Sequence, residues 1–213
     1  MSKVGQLIVA RHGESEWNAL GKWTGTTDVH LTAKGYHEAV LLGYKITDIA
    51  VDKAYCSQQI RALETLEGML DASRQYDVPY ERTGALNERD YGDFTGKNKW
   101  QVQKEVGEKE FERIRRGWDH PVTNGETLKM VYERVVPFYK GTVLPQLMEG
   151  KNVLLVAHGN SIRSLMKYIE SISDKDISNL EMMFGDIVIY TVDKEGKSVT
   201  KKVRKIDTTP PPA

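Results

Sequence analysis

Two apolar runs in this chain break off in the same way, and few folds accommodate both. Lys3 to Ala10 reads KVGQLIVA and stops at Arg11-His12-Gly13-Glu14. Asn152 to Ala157 reads NVLLVA and stops at His158-Gly159-Asn160. Short apolar runs bounded by turn residues suit strands of a buried sheet. If both strands belong to one sheet, the two histidines meet at its carboxyl edge.

The rest of the chain supports a layered arrangement. Thr32 reads as an N-cap, and Ala33, Tyr36, Ala39, Val40 and Gly43 recur at helical spacing to about Lys45. Asp52 to Cys56 reads as a short strand. Ser57 reads as the cap of a helix over 58–72, striped by Ile60, Leu63, Leu66, Met69 and Leu70. That helix places Arg61 in its first turn, near the strand-end edge. A further strand is expected over 78–82, a charged loop over 87–96, and one or two surface helices over 99–116. The helical pattern after Glu126 contains Pro137, which should kink it, and ends at Gly150. A helix follows Asn160, Ser173 and Asp176 suggest a capping box for a short helix over 174–180, and 187–192 with 198–203 reads as a hairpin.

Strands alternating with helices predict an α/β fold, a three-layer α/β/α sandwich with a mostly parallel central sheet. The 213 residues fit one domain over 1–213. Within it, 87–125 is placed as a cap over the site and 204–213 as a flexible tail.

In such sheets, sites form outside the carboxyl ends of the strands. Arg11, His12, Arg61 and His158 together would be strongly cationic, and their natural ligand is a phosphoryl group. Arginine presents a rigid fork of donors to phosphate oxygens. Histidine attacks phosphorus when one ring nitrogen is unprotonated and the other is held by an acceptor. Gly13 and Gly159 would let backbone approach the ligand, and the helix after Asn160 adds amide donors. An acid is still needed for the leaving oxygen. Glu14 and Glu88 are the candidates, and Glu88, in NERDYG, suits the role better.

Other chemistries lack support. Lys and Arg number 30, as do Asp and Glu, so bulk charge does not favour nucleic acid or an anionic membrane. No apolar run approaches membrane-spanning length, and the N-terminus has no leader pattern, so the cytoplasm is the expected compartment. Cys56 is the one cysteine, which excludes a disulfide within the chain. The paired histidines show no third metal ligand, and the arginines would repel a cation. There is no GxxxxGK[ST] or GxGxxG loop.

The stretch Val9 to Asn18 (VARHGESEWN) resembles the opening motif of the histidine phosphatase superfamily. WTGTTDVHLTAKG over 23–35, NERDYG over 87–92, TGKNK over 95–99, RRG over 115–117 and AHGNS over 157–161 resemble its cofactor-dependent phosphoglycerate mutases. This resemblance implies His12 as the nucleophile that carries the phosphoryl group. It implies Arg11, Arg61 and His158 as its stabilisers and Glu88 as proton donor and acceptor. It assigns the substrate pocket to Asn18, Thr24, Gly25, Arg89, Tyr91, Lys99, Arg115, Arg116, Gly159 and Asn160. The implied reaction interconverts 3-phosphoglycerate and 2-phosphoglycerate, primed by 2,3-bisphosphoglycerate, without a metal. Phosphoglycerates are then the partners, with no nucleic acid or membrane, and the protein is a monomer or a homodimer.

The chain also departs from the mutase pattern. The connector from Arg116 to Asn124 is short, which removes the basis for assuming a dimer. Asp90 and Trp23 are less usual residues at their positions. Met183-Phe184-Gly185-Asp186 stands where a PTG-like turn is common. A phosphatase using the same histidine, with water as acceptor, is the second reading. A phospho-ligand-binding module without catalysis is the third.

Overall fold

The computed structural model describes residues 4–182 and 184–207. Its sheet has six strands, β1 (Leu7–Arg11), β2 (Lys53–Ser57), β3 (Tyr80–Thr83), β4 (Val153–Ala157), β5 (Asp186–Val192) and β6 (Ser198–Lys205), ordered β3-β2-β4-β1-β5-β6. The first four run parallel, while β5 and β6 close the far side antiparallel. Among the described residues, eight α-helices accompany them: α1 (Glu16–Ala19), α2 (Ala33–Tyr44), α3 (Ile60–Ala72), α4 (Lys99–Val106), α5 (Glu108–Arg116), α6 (Leu128–Phe138), α7 (Leu144–Met148) and α8 (Gly159–Ile169).

The alternation within β1 explains the layers. Leu7 and Val9 face one side and join Val131 and Val135 of α6 with Ile162, Leu165 and Ile169 of α8. Ile8 and Ala10 face the other and join Leu42 of α2 with Leu66 and Met69 of α3. A strand covered on both faces is apolar throughout, which is why β1 and β4 read as continuous apolar runs. The result is the expected three-layer sandwich with a mostly parallel sheet. A third apolar cluster, around Trp23, Tyr91, Phe111 and Ile114, sits where 87–125 packs against the loop after α1.

The register decides where the histidines emerge. β1 and β4 are parallel neighbours, with Arg11 opposite Ala157. The His12 amide continues that ladder by donating to Ala157 O at 3.0 Å. Both chains therefore leave the sheet side by side.

Several local expectations shift. Ser57 ends β2 rather than capping a helix. α3 begins at Ile60, with Gln59 at its N-cap, and its Ile60 amide is satisfied from a distance by Asp28 Oδ1. α8 begins at Gly159, two residues earlier than anticipated, with His158 at the N-cap. Pro137 leaves α6 continuous to Phe138, and the chain then widens into a π-turn over Tyr139–Val143. Proline lacks the amide that the ladder needs and crowds the preceding turn. Gly13 serves packing more than ligand approach: a Cβ there would sit 2.2 Å from Gly35 O on α2. Ser173 and Asp176 do bond reciprocally, but the helix they start is a 3-10 turn at Asp176–Asn179. β6 continues to Lys205, so Arg204 and Lys205 pair with β5 instead of beginning a tail. Lys3, Met183 and the tail from 208 to 213 lie outside the described residues.

Candidate active site

His12 and His158 stand with ring centroids 4.8 Å apart. His12 Nδ1 lies 2.7 Å from Gly13 O. A carbonyl only accepts, so we assign the ring proton to Nδ1, which leaves Nε2 unprotonated. Burial, then Arg61 and Arg11, hold the His12 pKa well below its usual value, so the ring is neutral at pH 7. His158 is tied by its other nitrogen: Nε2 lies 2.7 Å from Ser57 Oγ. That hydroxyl already accepts from the Gln59 amide, so its own proton is free to donate to Nε2. On that basis we assign the ring proton of His158 to Nδ1, which is buried without a protein partner.

Two arginines complete the cluster. Arg11, at the end of β1, donates from Nη1 to Met182 O and lies 3.7 Å over the Phe184 ring. Arg61 donates to the carbonyls of Thr27 and Gly25 at 2.9 and 3.0 Å. It is 1% exposed, and burial lowers its pKa to about 10, so it remains charged at neutral pH. Arg11 Nε and Arg61 Nε are both buried without a partner, as is His158 Nδ1. Buried polar groups are normally satisfied. The two arginine donors belong to side chains that line the cavity and fit the oxygens of a phosphoryl group.

Glu88 borders the same cavity. Its Oε1 accepts from the amides of Arg89 at 2.7 Å and Asn160 at 3.2 Å, the latter in the first turn of α8. Gln59 fixes the loop behind it, accepting from the Glu88 amide and donating to Gly25 O. Glu14 lies elsewhere, bonded to Thr32 and Lys34, and does not line the cavity.

The cavity has a volume of about 100 Å³. Beyond the histidine cluster, its walls carry Asn18, Thr24, Gly25, Tyr91 and Lys99. Arg115, Arg116, Gly159 and Asn160 also line it. Each is placed by local structure. Asn18 closes the α1 capping box with Ser15. Lys99 opens α4 behind its Asn98 cap. Arg115 and Arg116 end α5, where the helix dipole favours cations. Asn160 donates to Tyr91 OH at 2.8 Å. Burial, reinforced by Arg115 and Arg11, pulls the Lys99 pKa down to about 8.

Two expected residues stand off the wall. His158 is fully buried beside His12 and does not border the cavity. Arg89 is also fully buried, bonded to Ile114 O and 4.4 Å over the Tyr91 ring, and does not border the cavity. Trp23, Arg163, Glu181 and Met182 line the cavity without having been assigned to it from sequence. The ring centroids of Trp23 and Tyr91 lie 4.4 Å apart. Arg163 was legible in principle, because it lies one turn beyond Asn160 on α8. Nothing local marks Ser57, Gln59 or Glu181.

Among the described residues, no cluster of three or more His, Cys, Asp or Glu is placed to hold a metal ion. Nor is any helix long and apolar enough to cross a membrane.

Comparison with known proteins gives a consistent result. Residues 7–204 match the histidine phosphatase superfamily, branch 1. The 2,3-bisphosphoglycerate-dependent phosphoglycerate mutase of Parvibaculum lavamentivorans is 39% identical over 199 residues, covering 92% of this chain and 95% of that protein. The 2,3-bisphosphoglycerate-dependent phosphoglycerate mutase 2 of Lactiplantibacillus plantarum is 38% identical over 224 residues, covering 92% and 97%. Among solved structures, the alpha-ribazole phosphatase of Shigella flexneri superposes with a TM-score of 0.76 at 23% identity, covering 94% of this chain and 95% of that one. That last likeness is one of fold.

Proposed function

This chain belongs to the histidine phosphatase superfamily, and on that premise we propose that it interconverts 3-phosphoglycerate and 2-phosphoglycerate through a phosphohistidine at His12. In this reading His12 Nε2 attacks phosphorus, and an N–P bond forms as the P–O bond breaks. Arg11, Arg61 and His158 meet the charge on the transferring oxygens, preorganised for it by their carbonyl and hydroxyl anchors. Glu88 gives a proton to the departing glycerate oxygen and recovers one from the acceptor hydroxyl in the second half. 2,3-Bisphosphoglycerate, when bound, supplies the phosphoryl group that charges His12. The segment 87–125 acts as the cap that limits water at the phosphohistidine.

The observation that carries this reading is the second set of cations. Lys99, Arg115 and Arg116 line the cavity in addition to Arg11 and Arg61. A phosphatase needs to hold one phosphate, whereas a phosphoglycerate brings a carboxylate as well. The names of the relatives at 38% and 39% identity agree with it.

A phosphatase with water as acceptor is the second reading. It is favoured by one observation: Glu181 also lines the cavity and engages Arg116, which reduces the charge offered to a second anion. The deciding experiment follows 3-phosphoglycerate in EDTA, with and without catalytic 2,3-bisphosphoglycerate, measuring isomer and free phosphate in one tube. Bisphosphate-dependent isomer with little phosphate is the expected result. Phosphate release without isomer would overturn the mutase reading in favour of the phosphatase.

A further inference from the structure

A carboxylate stands inside a cavity otherwise furnished to attract anions. Glu181 lines the wall together with Arg11, Arg115 and Arg116. Its Oε1 accepts from Arg116 Nη2 at 2.8 Å. The other edge of Arg116 is also engaged, with Nε 3.3 Å from Glu112 Oε2, one turn back on α5. Arg116 therefore meets an incoming anion already paired with two carboxylates. Of the two, Glu181 is the one that lines the cavity.

Its position is held by the backbone on both sides of the pair. Arg163 Nε donates to Leu180 O at 3.0 Å, immediately before Glu181. Arg163 Nη2 donates to Ile177 O at 2.8 Å and to Arg116 O at 3.0 Å. Nη1 donates to Asn160 Oδ1 at 3.0 Å. One guanidinium thus fastens the segment before Glu181 to the end of α5 and to α8. Burial pushes the Glu181 carboxyl up, but Arg116, with Arg115 and Arg11, more than offsets this and holds it below its usual value. It is ionised at neutral pH.

We propose that Glu181 is a specificity-determining counter-ion that occupies Arg116 until the second anionic group of a substrate displaces it. It thereby sets how strongly the cavity prefers a ligand with two anionic groups over one with a single phosphate. The inference rests on the reading of Lys99, Arg115 and Arg116 as the site of that second group. A half-exposed ion pair has a modest effect, so Glu181 adjusts selectivity by a factor of several rather than by orders of magnitude.

The test measures equilibrium binding of 3-phosphoglycerate and of orthophosphate to the full chain and to its Glu181→Gln variant. The variant should bind 3-phosphoglycerate roughly fivefold more tightly, and orthophosphate within about twofold of the parent. In an Arg116→Ala background, the same Gln substitution should lose most of its effect, because the coupling runs through that pair. An equal gain for both ligands would reduce Glu181 to a general field effect and overturn the proposal. So would unchanged or weaker binding of 3-phosphoglycerate in a protein whose parent form prefers it. A parent protein with no preference for 3-phosphoglycerate over orthophosphate would instead bring down the outer anion site itself, and this inference with it.

Discussion

The ends of β1 and β4 carry the same His-Gly pair yet treat the imidazole in opposite ways. At β1 the ring is anchored by its own neighbour, Gly13 O, through Nδ1. At β4 the ring is anchored through Nε2 by Ser57, 101 residues away in sequence. The first arrangement leaves an unprotonated nitrogen at the cavity, the second a buried N–H without a partner. In the proposed mechanism the nucleophile needs a lone pair and the oxyanion stabiliser a proton, and the two anchorages offer one of each.

That division is easiest to break by removing each ring in turn. His12→Ala should lower turnover by at least roughly 10⁴-fold and abolish acid-labile phosphoryl labelling. Retained turnover would sink the phosphohistidine assignment. His158→Ala should cost roughly 10²- to 10³-fold in rate while labelling at His12 remains detectable. Equal effects on labelling would mean that the two rings share one role.

Both rings also bear on stability. Their pKa values lie well below the usual histidine value, through burial first and then Arg61. Below about pH 6.5 the unfolded chain takes up protons that the folded chain refuses, so stability falls as pH drops towards the lowered folded values. The slope should reach about 1.4 kcal/mol per pH unit for each ring. Denaturant melts between pH 7 and 5 would show it, and His158→Ala should roughly halve it. A flat profile would mean that the rings titrate normally.

The smallest effect should come from the anchor. Ser57→Ala removes the partner of His158 Nε2 and should cost about 1–2 kcal/mol of stability. The rate should fall roughly tenfold, through a ring no longer held in place. A rate loss equal to that of His158→Ala would make the serine, rather than the ring, the critical group.

The two regions of the cavity differ in how much of them was legible beforehand. The inner cluster was visible because strands end where apolar runs end, and Arg61 falls in the first turn of the next helix. Thr32 and the 187–203 hairpin were readable for the same reason: capping and period-2 alternation act over a few residues. The outer wall was assigned through resemblance, and only partly by geometry. Arg89, expected on the wall, is drawn behind it by Ile114 O and the Tyr91 ring. Ser57, expected to cap α3, became the partner of His158 instead, since Asp28 and Gln59 already serve the start of that helix.

By itself, then, the sequence determined the order of strands and helices, the buried character of β1 and β4, and the presence of two histidines at strand ends. These follow from periodicity and turn chemistry, which are local. Only the tertiary structure decided how the His158 ring is anchored, that Arg61 is buried on two carbonyls, and that Glu181 pairs with Arg116 on the cavity wall. Those facts depend on hydrogen bonds between residues tens to a hundred positions apart. No local propensity encodes such contacts, because they exist only once the sheet has brought its strand ends together.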